Sequence, residues 1–165
     1  DYLWDLLSVN ERLVRSGRGG EAGGAAPDSG AGVVVHGTAS VGRNATLLSG
    51  TALGRNAHVG PNAVVSNSIV MEGARVGSGA VVHDCIVGSD AVLGSNCTAE
   101  GGPADVLVEG RLHEDVTLGG VVGDRARLGG NVTLAPGAVV GVDARVASGS
   151  VVEGRIASGE TVRRG

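Results

Sequence analysis

The most constraining feature of this sequence is a six-residue spacing of aliphatic residues that continues through most of the chain. One unbroken series of such residues is Val35, Val41, Leu47, Leu53, Val59 and Val65. A second series is Val116, Val122, Leu128, Leu134, Val140, Val146 and Val152. Between the two series come Val70, Val76, Val82, Val87 and Leu93, where two steps shorten to five. Neither the helical period nor the two-residue alternation of an ordinary hairpin produces this spacing, whereas hexad repeats are typical of β-helices.

The other positions of each hexad predict a short strand followed by a sharp corner. Four residues after the aliphatic lies a small residue, as at Ala39, Ala45, Thr51, Ala57, Ala63, Ala74, Ala80, Ala91, Cys97, Ala126, Ala138 and Ala144. Three residues after it lies a corner residue, as at Asn44, Gly50, Asn56, Asn62, Gly73, Gly79, Asp90, Asn96, Asn131, Gly137, Asp143 and Gly149. Asn, Gly and Asp tolerate the left-handed backbone that a corner needs. Each hexad therefore offers two inward positions, one large and one small, in an all-β fold.

The composition agrees with a narrow core built from small side chains. The 165 residues include 31 glycines and no phenylalanine, and the aromatic residues Tyr2 and Trp4 both lie at the start of the chain. Ordinary cores take large blocks of buried area from aromatic side chains. Hydrophobic residues still make up 42% of the sequence, which is too many for a disordered chain. The length is that of one ordinary domain.

Charge and cysteine usage exclude several classes of partner. The net charge is −4, there is no lysine and no basic block, so we expect no nucleic-acid partner. Apolar runs are only a few residues long, so we expect no membrane span. Cys85 and Cys97 form neither a CxxC pair nor a disulfide framework, which indicates a reducing compartment and predicts a cytoplasmic protein.

The chain divides into three segments. Residues 1–15 predict a short amphipathic helix with Leu3, Leu6, Leu7, Leu13 and Val14 on one face. Residues 16–32 are rich in Gly and Ala and predict a flexible linker. Residues 33–165 contain the hexads and predict the β-helix, with an excursion over residues 99–115 where the period breaks. Loops on a rigid scaffold often carry function, although a tolerated insertion or a subunit-clasping arm would give the same break.

The sequences Val-Gly-Arg-Asn-Ala-Thr at residues 41–46 and Leu-Gly-Arg-Asn-Ala-His at residues 53–58 resemble the hexapeptide-repeat left-handed β-helix superfamily. The resemblance covers roughly residues 33–162. It implies a left-handed parallel β-helix in which three hexads close one triangular coil, with about six coils stacked at the usual strand spacing. Members of the superfamily assemble around the prism axis, so the resemblance also implies a homotrimer.

Other stretches resemble a narrower family, the archaeal-type bifunctional sugar-1-phosphate nucleotidylyltransferases and glucosamine-1-phosphate N-acetyltransferases. They are residues 67–76, 120–124 and 135–141, while residues 4–11 are similar to the helix that ends the nucleotidylyltransferase domain of those enzymes. This resemblance implies a C-terminal β-helix domain whose nucleotidylyltransferase domain lies upstream of Asp1. In such a protein acetyl-CoA would be the co-substrate of the acetyltransferase.

The acetyltransfer machinery of that family is incompletely matched. Its members use a histidine to deprotonate the sugar amine, within a motif that resembles Gly-His-Leu-Ser/Thr-Tyr-hydrophobic-Gly-Asp. In the matching stretch, residues 77–84, Ser78 stands at the histidine position and Val81 at the tyrosine position, and Val92 stands where a later asparagine is expected. The family lysines that hold phosphate have no counterpart, although an arginine could hold the anion. The resemblance therefore predicts a degenerate acetyltransferase site.

The histidines of the chain are the remaining candidates for chemistry. His83, five residues beyond Ser78, is a candidate for a relocated base, against the default of a surface or interface histidine. His58 and Arg75, one coil apart, could hold a phosphate, against the default of a solvated ladder. We expect His36 to be exposed and His113 to lie in the excursion. No His-x4-His pair of the kind found in trimeric β-helix carbonic anhydrases is present, so we expect no metal.

Three hypotheses for the function follow. The first is an oligomerising C-terminal domain of a sugar-1-phosphate nucleotidylyltransferase, with the chain itself and the upstream domain as its partners. The second is an acetyl-CoA-dependent N-acetyltransferase acting on an amino-sugar phosphate through rearranged residues. The third is a regulatory domain that senses a sugar nucleotide. We favour the first, because the family base and sugar-binding positions are occupied by Ser78, Val81 and Val92.

Overall fold

The structure, a computed structural model, describes residues 32–108 and 110–163. The helix predicted for residues 1–15, and the linker predicted for residues 16–32 apart from its last residue, lie outside the described residues. The strands in chain order are β1 (Val34–Val35), β2 (Ser40–Val41), β3 (Thr46–Leu47), β4 (Ala52–Leu53), β5 (His58–Val59), β6 (Val64–Ser66), β7 (Ile69–Val70), β8 (Arg75–Val76), β9 (Val81–His83), β10 (Cys85–Val87), β11 (Val92–Leu93), β12 (Thr98–Ala99), β13 (Pro103–Val108), β14 (Arg111–Thr117), β15 (Gly120–Val122), β16 (Arg127–Leu128), β17 (Thr133–Leu134), β18 (Ala138–Val140), β19 (Arg145–Val146), β20 (Val151–Val152), β21 (Arg155–Ile156) and β22 (Thr161–Val162).

The strands other than β13 and β14 form a parallel β-helix with three sheets, as the hexads predict. It is left-handed, as the resemblance to the superfamily implies. Sheet 1 has seven strands in the order β1-β4-β7-β10-β15-β18-β21, and sheet 2 has seven in the order β2-β5-β8-β11-β16-β19-β22. Sheet 3 has six strands in the order β3-β6-β9-β12-β17-β20. The helix therefore has almost seven turns, slightly more than the six expected from the sequence.

The large and small inward positions form one continuous core. Val59, Ala63 and Val65 have no exposed surface, and the same is true of most inward residues of the middle turns. In the first turn Ala39 and Val41 are only partly buried, and no strand among the described residues pairs with the outer edge of that turn. One assignment in the second aliphatic series is wrong. Val116 does not belong to a strand of the solenoid, because it lies in β14 and its backbone pairs with Ala104 across an antiparallel hairpin.

The corners follow the sequence prediction closely. All twelve predicted corner residues have a positive φ, from 55° at Asn56 and Asn131 to 83° at Gly50. Arg125 also has a positive φ, 58°, at a corner for which the sequence offers no Asn, Gly or Asp. An arginine in this conformation is uncommon, because its Cβ lies close to the neighbouring carbonyl oxygen.

Two of the three prism edges are regular. At the edge between sheets 1 and 2, and at the edge between sheets 2 and 3, every step from one inward aliphatic to the next is six residues. The residue after the aliphatic is usually glycine there, because the turns stack too closely for a side chain. A Cβ on Gly77 would lie 2.5 Å from the backbone carbon of Gly94, and one on Gly94 would lie 2.5 Å from that of Gly129.

The third edge, between sheets 3 and 1, contains every departure from the period. The steps from Val65 to Val70 and from Val82 to Val87 have five residues, and the step from Val152 to Ile156 has four. The step from Ala99 to Val122 contains the β13–β14 hairpin. At this edge the residue after the inward residue carries a side chain in every turn, as at Leu48, Ser66, His83, Glu100, Ala135 and Glu153.

The excursion predicted for residues 99–115 overlaps this hairpin, which runs from Pro103 to Thr117. The predicted bounds are early at both ends, because Ala99 still belongs to the solenoid and the second hairpin strand continues to Thr117. One backbone hydrogen bond closes its base, and a second ties that base to the turn before. The amide of Leu118 donates to the carbonyl of Gly102 at 3.2 Å, and the amide of Gly119 donates to that of Asp84 at 2.8 Å. Leu118 is fully buried, whereas Leu112 on the second strand is 58% exposed.

Candidate functional site

His83 lies at the variable edge and not at the expected base position. It is the last residue of β9, in register with Ser66 of the turn before, and it is half-buried. Within the described residues its imidazole forms no hydrogen bond. Ser78, which occupies the family base position, lies at the opposite edge of sheet 3, where it is exposed. His83 therefore does not replace Ser78 in space, because the width of β9 separates them.

The backbone around His83 is fixed by a polar network. The side-chain amide of Asn67 donates to the carboxylate of Asp84 at 2.6 Å, and the amide of Cys85 donates to the Ser68 hydroxyl at 3.1 Å. Both Asn67 and Asp84 have positive φ, which suits the shortened corners. The Cys85 thiol donates to the carbonyl of His83 at 3.0 Å. Burial raises the pKa of Cys85 to about 12, so this thiol is not a nucleophile at neutral pH.

The outer face of sheet 2 carries the other predicted candidates. His58 and Arg75 occupy adjacent register positions on β5 and β8, so the structure brings this pair together. The His58 Nδ1, however, lies 2.6 Å from the hydroxyl of Ser40 on the strand before, on the side away from Arg75. Beyond Arg75 the same column continues through Val92, Arg127 and Arg145.

A trough of about 700 Å³ borders this column. It is lined by Asn56, Glu72, Gly73, Arg75, Asp90, Val92 and Arg127. The arginines and Val92 come from strands of sheet 2, whereas the other residues come from the corners between sheets 1 and 2. A row of guanidinium groups thus faces a row of carboxylates across an open groove. We call this groove the arginine trough.

An ion pair lies farther along the same edge. Arg125 Nε donates to one carboxylate oxygen of Asp143 at 2.8 Å, and its Nη2 donates to the other at 3.1 Å. The paired carboxylate raises the pKa of Arg125, and the guanidinium lowers the pKa of Asp143. Both side chains are more than half exposed. The pair therefore links successive corners without forming a buried site.

The outer face of sheet 1 differs from the other two faces because it is apolar. Its column is Val34, Ala52, Ile69, Ile86, Val121 and Val139, and it ends at Arg155. Ile86 and Leu118 are buried in a second hydrophobic cluster outside the prism, against which Ile69, Met71 and Val121 pack. A groove of about 560 Å³ continues this face past Ala52 and Met71 toward His36.

The comparison with family models decides the family. The model of the GMPPB C-terminal domain matches residues 30–156, which is more than half of the chain. The chain belongs to the GMPPB C-terminal domain family. No curated protein matches the chain. The family match agrees with the resemblance to the C-terminal domain of a sugar nucleotidylyltransferase.

Solved structures similar to this GMPPB C-terminal domain include sugar N-acyltransferases. PerB from Caulobacter crescentus, solved with CoA and GDP-perosamine, is 26% identical over 76% of this chain and 51% of its own, with a TM-score of 0.47. AntD, an N-acyltransferase from Bacillus cereus, is 11% identical over 76% of this chain and 72% of its own, with a TM-score of 0.57. WeeI from Acinetobacter baumannii is 14% identical over 78% and 53%, with a TM-score of 0.54. The chain spans about half the length of PerB. AntD and WeeI are similar to this domain in fold alone.

Sequence reasoning missed two features of this chain, the apolar face of sheet 1 and the arginine trough. Both have a signal at every third hexad, in the residue just before the inward aliphatic. In sheet 1 that residue is apolar in every strand except the last, which has Arg155. In sheet 2 it is Ser40 in the first strand and Thr161 in the last, and in the five strands between them it is His58, Arg75, Val92, Arg127 and Arg145. The signal is visible only when each hexad is assigned to its sheet. The shortened steps and the hairpin change the spacing between strands of one sheet, so this assignment cannot be made by counting residues.

The described part of this domain has neither a metal-binding cluster nor a membrane-spanning helix. No group of three or more His, Cys, Asp and Glu side chains there could hold a metal ion. No helix there has the length and apolar character needed to span a membrane. His36, predicted to be exposed, is half-buried, and its Nδ1 lies 2.9 Å from the Thr38 hydroxyl. His113 lies on β14, where its backbone pairs with Val106.

Proposed function

We propose that this domain acts mainly in assembly, as the trimer-forming C-terminal domain of a sugar-1-phosphate nucleotidylyltransferase. The single observation that carries the proposal is the apolar outer face of sheet 1. Six successive outward positions on this face are aliphatic, and most of them are half-buried in the single chain. A contiguous apolar face with polar surroundings indicates a protein-protein contact.

The other two faces suggest how copies of the chain would pack. A closed three-fold ring needs a heterologous interface, in which two different patches of each copy meet. Sheet 3 offers the second patch, because its outward column includes Val64, Val81 and Val151 between threonines. The face of sheet 2 carries exposed arginines, so it would remain in solvent. We therefore propose that sheet 1 of one copy packs against sheet 3 of the next.

The catalytic side of the proposal is that acetyl transfer is lost. The family mechanism needs a base within reach of the sugar amine. Ser78 has no group that is basic near neutral pH, and Val81 has no polar atom. His83 lies at the opposite edge of the sheet from Ser78. We derive no step through acetyl-CoA, because no residue at the matching positions can take the proton.

The proposal also includes a second partner and a compartment. A nucleotidylyltransferase domain upstream of Asp1 would supply the chemistry, with the β-helix holding three such domains together. We propose the reducing cytoplasm as the compartment, where the buried free thiols of Cys85 and Cys97 would remain unpaired.

Disruption of sheet 1 tests the assembly. We expect Ile69→Glu and Val139→Glu each to convert a trimer into monomers in size-exclusion chromatography with light scattering, because a carboxylate in an apolar interface must be desolvated. Thr161→Glu, on the exposed face of sheet 2, is the matched control and should leave the mass unchanged. A wild-type mass retained by both sheet 1 variants would reject sheet 1 as the interface.

Thiol release tests the loss of acetyl transfer. With acetyl-CoA and glucosamine 1-phosphate, we expect the chain to release no CoA thiol above the rate of the protein-free control. Turnover that His83→Ala abolishes would instead establish the N-acetyltransferase hypothesis, with His83 as a relocated base.

A further inference from the structure

The column of sheet 2 that borders the arginine trough has a charge arrangement that the assembly role does not explain. Arg127 and Arg145 are register partners on neighbouring parallel strands, so their backbones are only about 4.8 Å apart. Like charges directly opposite on a sheet face repel each other and destabilise it. No carboxylate among the described residues forms a salt bridge with Arg75, Arg127 or Arg145. The column therefore holds positive charge that the described carboxylates do not neutralise by direct contact.

The spacing within the trough fits one anionic group. Arg75 and Arg127 flank Val92, each one strand away, so their Cα atoms are about 10 Å apart across a short apolar side chain. Two flexible arginine side chains can converge across this distance. Guanidinium groups bind phosphate oxygens with paired, charge-assisted hydrogen bonds. Val92 leaves the space between them open, because it lacks the reach to fill it.

The opposite wall of the trough carries a different chemistry. Asp90 leans across the neighbouring corner, where a Cβ on Gly73 would collide with its carboxylate. Glu72 is exposed on the same wall, and Asn56 closes one end. Carboxylates repel an isolated anion, but they accept hydrogen bonds from hydroxyl groups. The trough thus combines donors for a phosphate with acceptors for hydroxyls, in a volume of the size that holds small ligands.

From this combination we propose that the arginine trough binds a phosphorylated sugar, with the phosphate between Arg75 and Arg127 and the sugar hydroxyls on Glu72 and Asp90. The site goes beyond the assembly role and does not depend on it. In the packing proposed above, sheet 2 faces solvent, so the trough is open in a monomer and in a trimer alike. The trough includes Val92, one of the family positions considered above, but none of Ser78, Val81 and His83, so binding here needs no base for acetyl transfer.

Isothermal titration of the full chain with glucose 1-phosphate, inorganic phosphate and glucose tests the site. We expect saturable binding of glucose 1-phosphate, weaker binding of phosphate and none of glucose. Arg75→Gln and Arg127→Gln should each weaken glucose 1-phosphate binding by roughly tenfold, the usual effect of losing a charge-assisted contact. Asp90→Asn should weaken glucose 1-phosphate binding but not phosphate binding. Arg43→Gln, an exposed arginine at the edge between sheets 2 and 3, is the matched control and should change nothing.

Three results would overturn the proposal. The first is the absence of saturable binding by a chain whose fold is confirmed by circular dichroism. The second is an Arg127→Gln variant that binds glucose 1-phosphate with wild-type affinity, which would show that the phosphate does not bind in the trough. The third is binding of inorganic phosphate as tight as that of glucose 1-phosphate. That result would mean that the trough binds any phosphate anion and that Glu72 and Asp90 do not contact the sugar. None of these results bears on the mass of the assembly, so the two proposals fail separately.

Discussion

The regular edges of this β-helix and its variable edge obey different rules, although the same hexad builds all three. At the edges between sheets 1 and 2 and between sheets 2 and 3, every step is six residues, and glycines usually stack one above another. At the edge between sheets 3 and 1 the steps have four, five or six residues, or contain a hairpin. Two edges therefore set the frame of the prism, while the third accommodates changes in length.

The physical cause is how tightly successive turns approach. At a regular edge the next turn lies where a Cβ would be, as the 2.5 Å approach at Gly77 shows, so the backbone has one permitted path. At the variable edge the residue after the inward position carries a side chain, so at that position the backbone of the next turn is not in close contact. The hairpin and His83 both lie at this edge. The open space is confined to the position after the inward residue, because elsewhere on this edge the turns are close, and a Cβ on Gly119 would collide with the carbonyl oxygen of His83.

Moving the hairpin between edges should have the largest effect. If residues 103–117 are replaced by two glycines, we expect the solenoid to keep its cooperative unfolding, because Gly102 and Leu118 already lie within hydrogen-bond distance. If the same residues are inserted between Gly130 and Asn131, at a regular edge, we expect cooperative unfolding to be lost. The insertion would separate the Gly130 amide from the Asn131 amide, which bond to Ser148 and Ser95 of neighbouring turns. Thermal melts of the deletion and insertion variants, followed by circular dichroism, test both expectations. Equal melting temperatures of the two variants would refute the distinction between edges.

A single methyl group should distinguish the two kinds of edge with a smaller effect. Gly77→Ala places a Cβ against the backbone of the next turn, and we expect it to lower the free energy of unfolding by about 2 kcal/mol in urea titrations. Gly102→Ala is the control at the variable edge, where the nearest atom to the new Cβ is a Pro136 carbon at 3.6 Å. We expect that change to stay within about 0.5 kcal/mol. Similar losses at both sites would mean that stacking does not limit the regular edges.

The corner pair Arg125 and Asp143 should give the smallest effect. Asp143→Asn should lower the melting temperature slightly at pH 7, since Arg125 lowers the pKa of this carboxyl in the folded state. A lowered pKa gives stability that is present above the carboxyl's ordinary pKa and is lost as the pH falls through the folded value. The difference between variant and wild type should therefore disappear in acid. A difference that persists below that range, or that salt leaves unchanged, would contradict the electrostatic cause.

Most of the fold could be predicted from the sequence, because the local structure of each hexad is determined by its own six residues. The inward aliphatics, the small inward residues and all twelve corner residues follow from spacing and side-chain size alone. Val116 was misplaced because a six-residue step also occurs by chance inside a hairpin. Arg125 was missed because its residue type gives no sign of a left-handed corner.

The surfaces were harder to predict, because they depend on which residues lie in register across turns. The column from Arg75 through Val92 to Arg127 spans 53 sequence positions, and the step from Val92 to Arg127 crosses the hairpin. The apolar column of sheet 1 crosses both five-residue steps as well as the hairpin. Local pattern gives the strands, but only the register assembles them into faces.

The assembly role is tested most directly by the mass of the unaltered chain in solution. Sedimentation equilibrium at several loading concentrations should give three times the mass of the 16.2 kDa chain, with no dependence on rotor speed. That result would agree with an apolar sheet 1 covered by neighbouring copies. A mass of 16.2 kDa at every concentration would contradict it, and sheet 1 would then need another partner.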